Sequence, residues 1–178
     1  MSSFKEIVTK AIVGKTKKTS TNELMITPEL KPDTILGCWV INHRFNGSNN
    51  GGVVNIDGSF DVNVWYSYDN DTKTAVSTQV FNYQDKMPVR LKDNSTLTNN
   101  DEIIVRSLKQ PTVTNVNVTD GIVKLNVEKE LGVEIVGDTK IKVSIEDDED
   151  DYEVITDDEI ITDEDETAIE EIDEEYLK

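Results

Sequence analysis

The clearest hydrophobic pattern along the chain is alternation with a period of two. In SFDVNVWYSY, Phe60, Val62, Val64, Tyr66 and Tyr68 share one face and Asp61, Asn63, Trp65 and Ser67 the other, as in a half-buried β-strand. This phase points Tyr66 inward and Trp65 outward. The alternation returns at Val123, Leu125, Val127 and Leu131, and again at Ile141, Val143 and Ile145. Turn-forming Asp120-Gly121 and Gly137-Asp138 precede these runs, which predicts two sequential antiparallel strands. Further strands are expected at ILGCWVINHRF, VVNI, TAVSTQVFNY, EIIVRSL and VTNVNV, divided by turns such as NGSNNGG and DNDT. About eight short strands over 33–145 predict an all-β body, an antiparallel β-sandwich or a barrel.

The two ends read differently. In residues 1–18, Phe4, Ile7, Val8, Ala11 and Ile12 recur at i, i+3, i+4, i+7 and i+8, and Ser3 and Glu6 have capping-box spacing. This predicts a short amphipathic helix ending near Gly14. A helix of that length is marginal alone in water, so its stripe needs cover, which makes these five residues candidates for oligomerisation. The polar, basic KTKKTSTNEL and then Pro28 and Pro32 predict a linker over 19–32.

The formal net charge of -18 belongs to one end of the chain. Residues 146–178 hold 19 of the 36 acids and one of the 18 basic residues, leaving 17 of each before them. Such a tail repels polyanions, which argues against a nucleic-acid partner, and its charge density predicts a disordered segment. Yet Ile160, Ile161, Ile169, Ile172, Tyr176 and Leu177 interrupt the carboxylates. That pattern suits a segment that orders on a basic partner, with charge steering the encounter and the apolar residues anchoring it. No run of about 18 apolar residues occurs, so neither a transmembrane helix nor a secretion signal is expected.

Candidate chemistry is sparse, and no enzyme, cofactor or metal site is expected. Cys38 is the only cysteine and His43 the only histidine, and no glycine-rich phosphate loop or zinc-type spacing is present. As a candidate base, His43 has no Ser or Cys nucleophile at motif spacing, so a small hydrolase is the weakest alternative. Asp69-Asn70-Asp71 begins like a calcium loop but lacks the sixth-position glycine and twelfth-position Glu, and reads as a hairpin turn. The acids of 146–151 would hold calcium only loosely. An outward Trp65 suits a protein-interface anchor better than a carbohydrate platform. The lysines near the N-terminal stripe leave an anionic membrane as a lesser alternative to packing on protein.

FKEIVTKAIVGK, ILGCWVINHRF and above all GSFDVNVWYSYDNDTKTAV resemble the outer spore coat protein E family of endospore-forming Firmicutes, through most of residues 1–145. DVNVWYSY followed by Thr72-Lys73-Thr74 is the most specific element. The resemblance implies a non-catalytic morphogenetic protein, made in the mother-cell cytoplasm during sporulation and then resident in the outer spore coat. It implies self-association through the N-terminal region, docking on inner-coat or basement-layer proteins through central segments, and recruitment of outer-coat proteins by the tail. Cys38 stands where the family pattern leads one to expect glycine, and the tail matches in composition only, so client identities do not carry over. The competing reading is a monomeric β-sandwich module for carbohydrate or calcium with a solubilising tail.

Overall fold

The alternation seen at residues 60–68 extends through almost the whole folded chain. The structure, a computed structural model, describes residues 3–92 and 97–145. Its six strands are β1 (Ser3–Ile26), β2 (Thr34–Asn50), β3 (Val53–Tyr68), β4 (Lys73–Pro88), β5 (Glu102–Thr119) and β6 (Ile122–Ile145). They form two three-stranded antiparallel sheets, ordered β1-β6-β5 and β2-β3-β4, as in a β-sandwich. Glu6–Val143 make one compact unit, which holds the core and the polar groups described below. Met1–Lys5 with Ser144–Lys178 are grouped as a second, of which only the ends of β1 and β6 are described.

Tight turns set the register. Asn50 pairs with Val53 and Thr119 with Ile122, leaving two-residue loops in which Gly51, Gly52, Asp120 and Gly121 all have positive φ. That is the left-handed backbone a type I′ hairpin demands. Between β3 and β4, Asp69, Asn70 and Asp71 take positive φ in succession, so the segment is a hairpin turn. On β1 and β6, Lys15 meets Glu134 and Thr19 meets Glu130, the descending order of an antiparallel pair.

The expected N-terminal helix is replaced by strand: residues 3–26 form β1, and no helix occurs where one was predicted. The spacing of Phe4, Ile7, Val8, Ala11 and Ile12 does fit a helical face. But Ile7, Val8, Thr9, Ile12 and Val13 are β-branched, and β6 supplies a ladder of hydrogen-bond partners, so tertiary pairing overrides the period. The linker expected over 19–32 is corrected with it, because β1 continues to Ile26 and only the stretch before Thr34 is irregular.

Strand number is corrected too, because three pairs of short expected strands fuse into β3, β5 and β6. Gly137 is no turn; a Cβ there would lie 2.5 Å from Asp101 Oδ1, so glycine serves close approach within β6. Pro111 is tolerated inside β5 because that strand is an edge and shifts register between Lys109 and Thr112. The tail at 146–178, with its candidate anchors Ile160, Ile161, Ile169, Ile172, Tyr176 and Leu177, lies outside the described residues.

The central strands β3 and β6 face each other across the core. One cluster gathers Ile26, Phe60, Val62, Val64, Tyr66, Val123, Leu125 and Val127; the other gathers Val54, Ile56, Met87, Leu97, Leu131, Val133 and Ile135. Full burial of such side chains stabilises by about 1.5–3 kcal/mol each, and this burial holds the two sheets together.

Candidate interaction surface

The two outer faces of the sandwich differ in kind. On the β1-β6-β5 sheet, glutamates of the central strand are flanked by cations from both edges. Glu134 takes Lys15 on one side and Arg106 on the other, each at 3.4 Å, Glu130 takes Lys17, and Glu128 takes Lys109. Such surface pairs contribute little stability individually, but they leave this face compensated in charge.

The β2-β3-β4 sheet presents apolar surface instead. Register places Trp65 between Gly37 and Val76, Asn63 between Trp39 and Thr78, and Asp61 between Ile41 and Val80. Trp39 and Trp65 meet edge to face with ring centroids 6.0 Å apart. They remain 40% and 46% exposed, and Ile41, Val76 and Val80 beside them are exposed as well. Exposed apolar side chains grouped on one face of a folded domain make that face a candidate docking surface. Hydrogen bonds from Asn42 to Asp61 and from Thr78 to Asn63, both 2.7 Å, surround it with polar contacts. The outward direction of Trp65 follows its phase, while Tyr66 is buried. Trp39 enters the sequence reading only within the ILGCW segment of the family resemblance, and its outward direction is not legible there because the bulge at Asn42, marked by positive φ, blurs the alternation of β2.

The five residues assigned to oligomerisation lie on β1 and do not form one stripe. Strand alternation separates Ile7 and Ala11 from Val8 and Ile12. Val8 is 65% exposed and Phe4, Ile7 and Ile12 are also exposed, on a strand that is the edge of its sheet.

Between the two core clusters runs a polar belt that no motif announced. Lys129 is fully buried, and its Nζ donates to Ser20 Oγ at 2.8 Å and Asn22 Oδ1 at 3.0 Å, both on β1. It also pairs with Asp85 of β4 at 3.1 Å and sits 3.9 Å from the Tyr83 ring centroid. Asp85 takes Lys18 as well, at 3.3 Å. The Tyr83 hydroxyl lies 2.7 Å from His43 Nε2, and its ring occupies the space over Gly58, where a Cβ would come within 2.2 Å. Burial first, and then the negative charge of Asp85, hold the Tyr83 phenol well above its ordinary value, so it stays a neutral donor. Burial lowers His43; a Gln110 hydrogen bond opposes that, and the Lys129 charge adds to it. Burial also pushes the Cys38 thiol up, leaving it a protonated neighbour of the core.

Two signals for this belt were present in the sequence. Lys129 falls in phase with Val127 and Leu131, and Asp85 in phase with Phe81, Tyr83 and Met87. A charge on the apolar phase of each of two strands is what an interior ion pair looks like in one dimension. Among the described residues no group of three or more His, Cys, Asp and Glu is placed to hold a metal ion.

Residues 3–178 match the model of a protein family described as outer spore coat protein E (CotE). No curated protein and no solved structure matches the chain.

Proposed function

The chain belongs to the outer spore coat protein E family, a structural family of the spore coat, and from that premise we propose that it is a non-catalytic scaffold of the outer coat. It is made in the mother-cell cytoplasm, assembles with itself around the forespore, docks on inner-coat proteins and recruits outer-coat proteins. The observation that carries this reading is a family match spanning the β body and the acidic tail together.

Each task has a place on the chain. Self-association uses the exposed edge strand β1 through Phe4, Ile7, Val8, Ala11 and Ile12, since an unpaired strand edge is a template for another copy. The patch around Trp39 and Trp65 contacts inner-coat proteins, because exposed Trp is the residue type that most often anchors an interface. The tail holds clients weakly, through Ile160, Ile161, Ile169, Ile172, Tyr176 and Leu177, and a lattice of tails multiplies weak contacts by avidity, ~100-fold or more. The test is electron microscopy of spores whose only copy of this protein carries Trp39→Ser and Trp65→Ser. Loss of the outer layer with normal protein levels supports the docking role, whereas an intact outer coat contradicts it.

The paired exposed tryptophans also keep a second reading in view, a monomeric carbohydrate-binding module. Their perpendicular rings offer no shared flat platform for a sugar face, which favours the protein interface. A monomer that binds oligosaccharide through Trp39 and Trp65 would establish the module instead.

A further inference from the structure

The geometry points to a covalent modification site inside the sandwich: an intramolecular isopeptide bond between Lys129 of β6 and Asn22 of β1, formed with Asp85 of β4 as proton carrier. It stands independently of the scaffold reading.

The required parts converge on one atom. Lys129 Nζ donates to Asn22 Oδ1, the oxygen of the amide it would attack, at 3.0 Å and pairs with the Asp85 carboxylate at 3.1 Å, while Ser20 Oγ at 2.8 Å fixes its direction. Lys129 has no exposed surface, and the Tyr83 ring covers Nζ at 3.9 Å, which shields the nucleophilic nitrogen from bulk solvent. Asn22 lies on the strand that neighbours Lys129, and Asp85 projects from the facing sheet. Two reacting groups held in contact by a rigid fold gain the large advantage of an intramolecular reaction.

The step balances without a co-reactant. Asp85 accepts a proton from the Lys129 ammonium, freeing the Nζ lone pair, which attacks Cγ of Asn22 and forms the new C–N bond. The attacking Nζ then passes a second proton to Nδ2, the tetrahedral carbon collapses, its bond to Nδ2 breaks and ammonia leaves; the proton held by Asp85 converts that ammonia to ammonium and restores the carboxylate. Nothing is oxidised or reduced. Asn22 is the acyl partner because its amide is neutral and has a leaving group, whereas Asp85 is an anion already shared with Lys18. The event happens once per chain and is not turnover. Its product fastens edge strand β1, whose inward face here is polar, to the central strand across 107 positions of sequence.

Intact-mass spectrometry of the full-length protein, purified folded, tests this. A mass lighter than the sequence by one ammonia is expected, with fragment spectra joining the peptides that contain Asn22 and Lys129. Lys129→Arg, Asn22→Ala and Asp85→Ala should each restore the full mass. Because the unaltered protein gives the deciding reading, poor folding of a variant does not obscure it. The full sequence mass with separate peptides overturns the proposal, and so does loss of water with Lys129 joined to Asp85.

Discussion

Individual residues in the polar belt carry consequences out of proportion to their number. Gly58 leaves room for the Tyr83 ring, and a Cβ at that position would overlap Cζ at 2.2 Å. Gly58→Ala should therefore destabilise by about 1–3 kcal/mol, the ordinary cost of overpacking, read as a lower urea midpoint. His43 yields a pH effect of definite sign. Its folded value lies below the ordinary 6.5, so between that lower value and 6.5 the unfolded chain binds more protons than the folded one. The stability this histidine preserves is complete above 6.5 and is lost as the pH falls to the folded value. Urea titrations across that range should show a falling midpoint, and His43→Gln should make the fall shallower; an unchanged fall would mean that His43 is not the group responsible.

At the scale of elements, β1 is where sequence and fold diverge, and also where the assembly claim is most exposed. Ile7→Asp with Ile12→Asp places charge on both faces of the edge strand and should shrink the assembly while leaving the β-sheet circular dichroism unchanged. An assembly of unaltered size would remove β1 from the contact. Sandwich architecture was legible because β3 and β6 alternate cleanly and the Asp120-Gly121 turn has its expected geometry. β1 was not legible because its inward face carries Ser20 and Asn22, which serve a lysine more than a hundred positions away. Without that lysine in view, polar residues on the inward phase read as linker. Strand length was missed for a related reason: Gly58 and Gly137 sit in strand interiors to admit a neighbouring side chain, not to turn the chain. On the outer face of the second sheet, the exposure of Trp65 was legible by phase, while that of Trp39 was obscured by the bulge in β2.

For the whole molecule, the sequence divides into a body neutral in formal charge and an acidic end, and the proposed function divides with it. Removing residues 146–178 should leave self-assembly intact while abolishing capture of outer-coat proteins from sporulating-cell extract, and capture by the full chain should weaken steeply with added salt. A tail-deleted protein that still captured the same proteins would move recruitment onto the body. If many copies form one scaffold, light scattering behind size-exclusion chromatography on the unaltered full-length protein reads it as mass. Assemblies of many 20.0 kDa chains at micromolar concentration are the expected result, and a stable 20.0 kDa monomer would contradict the account.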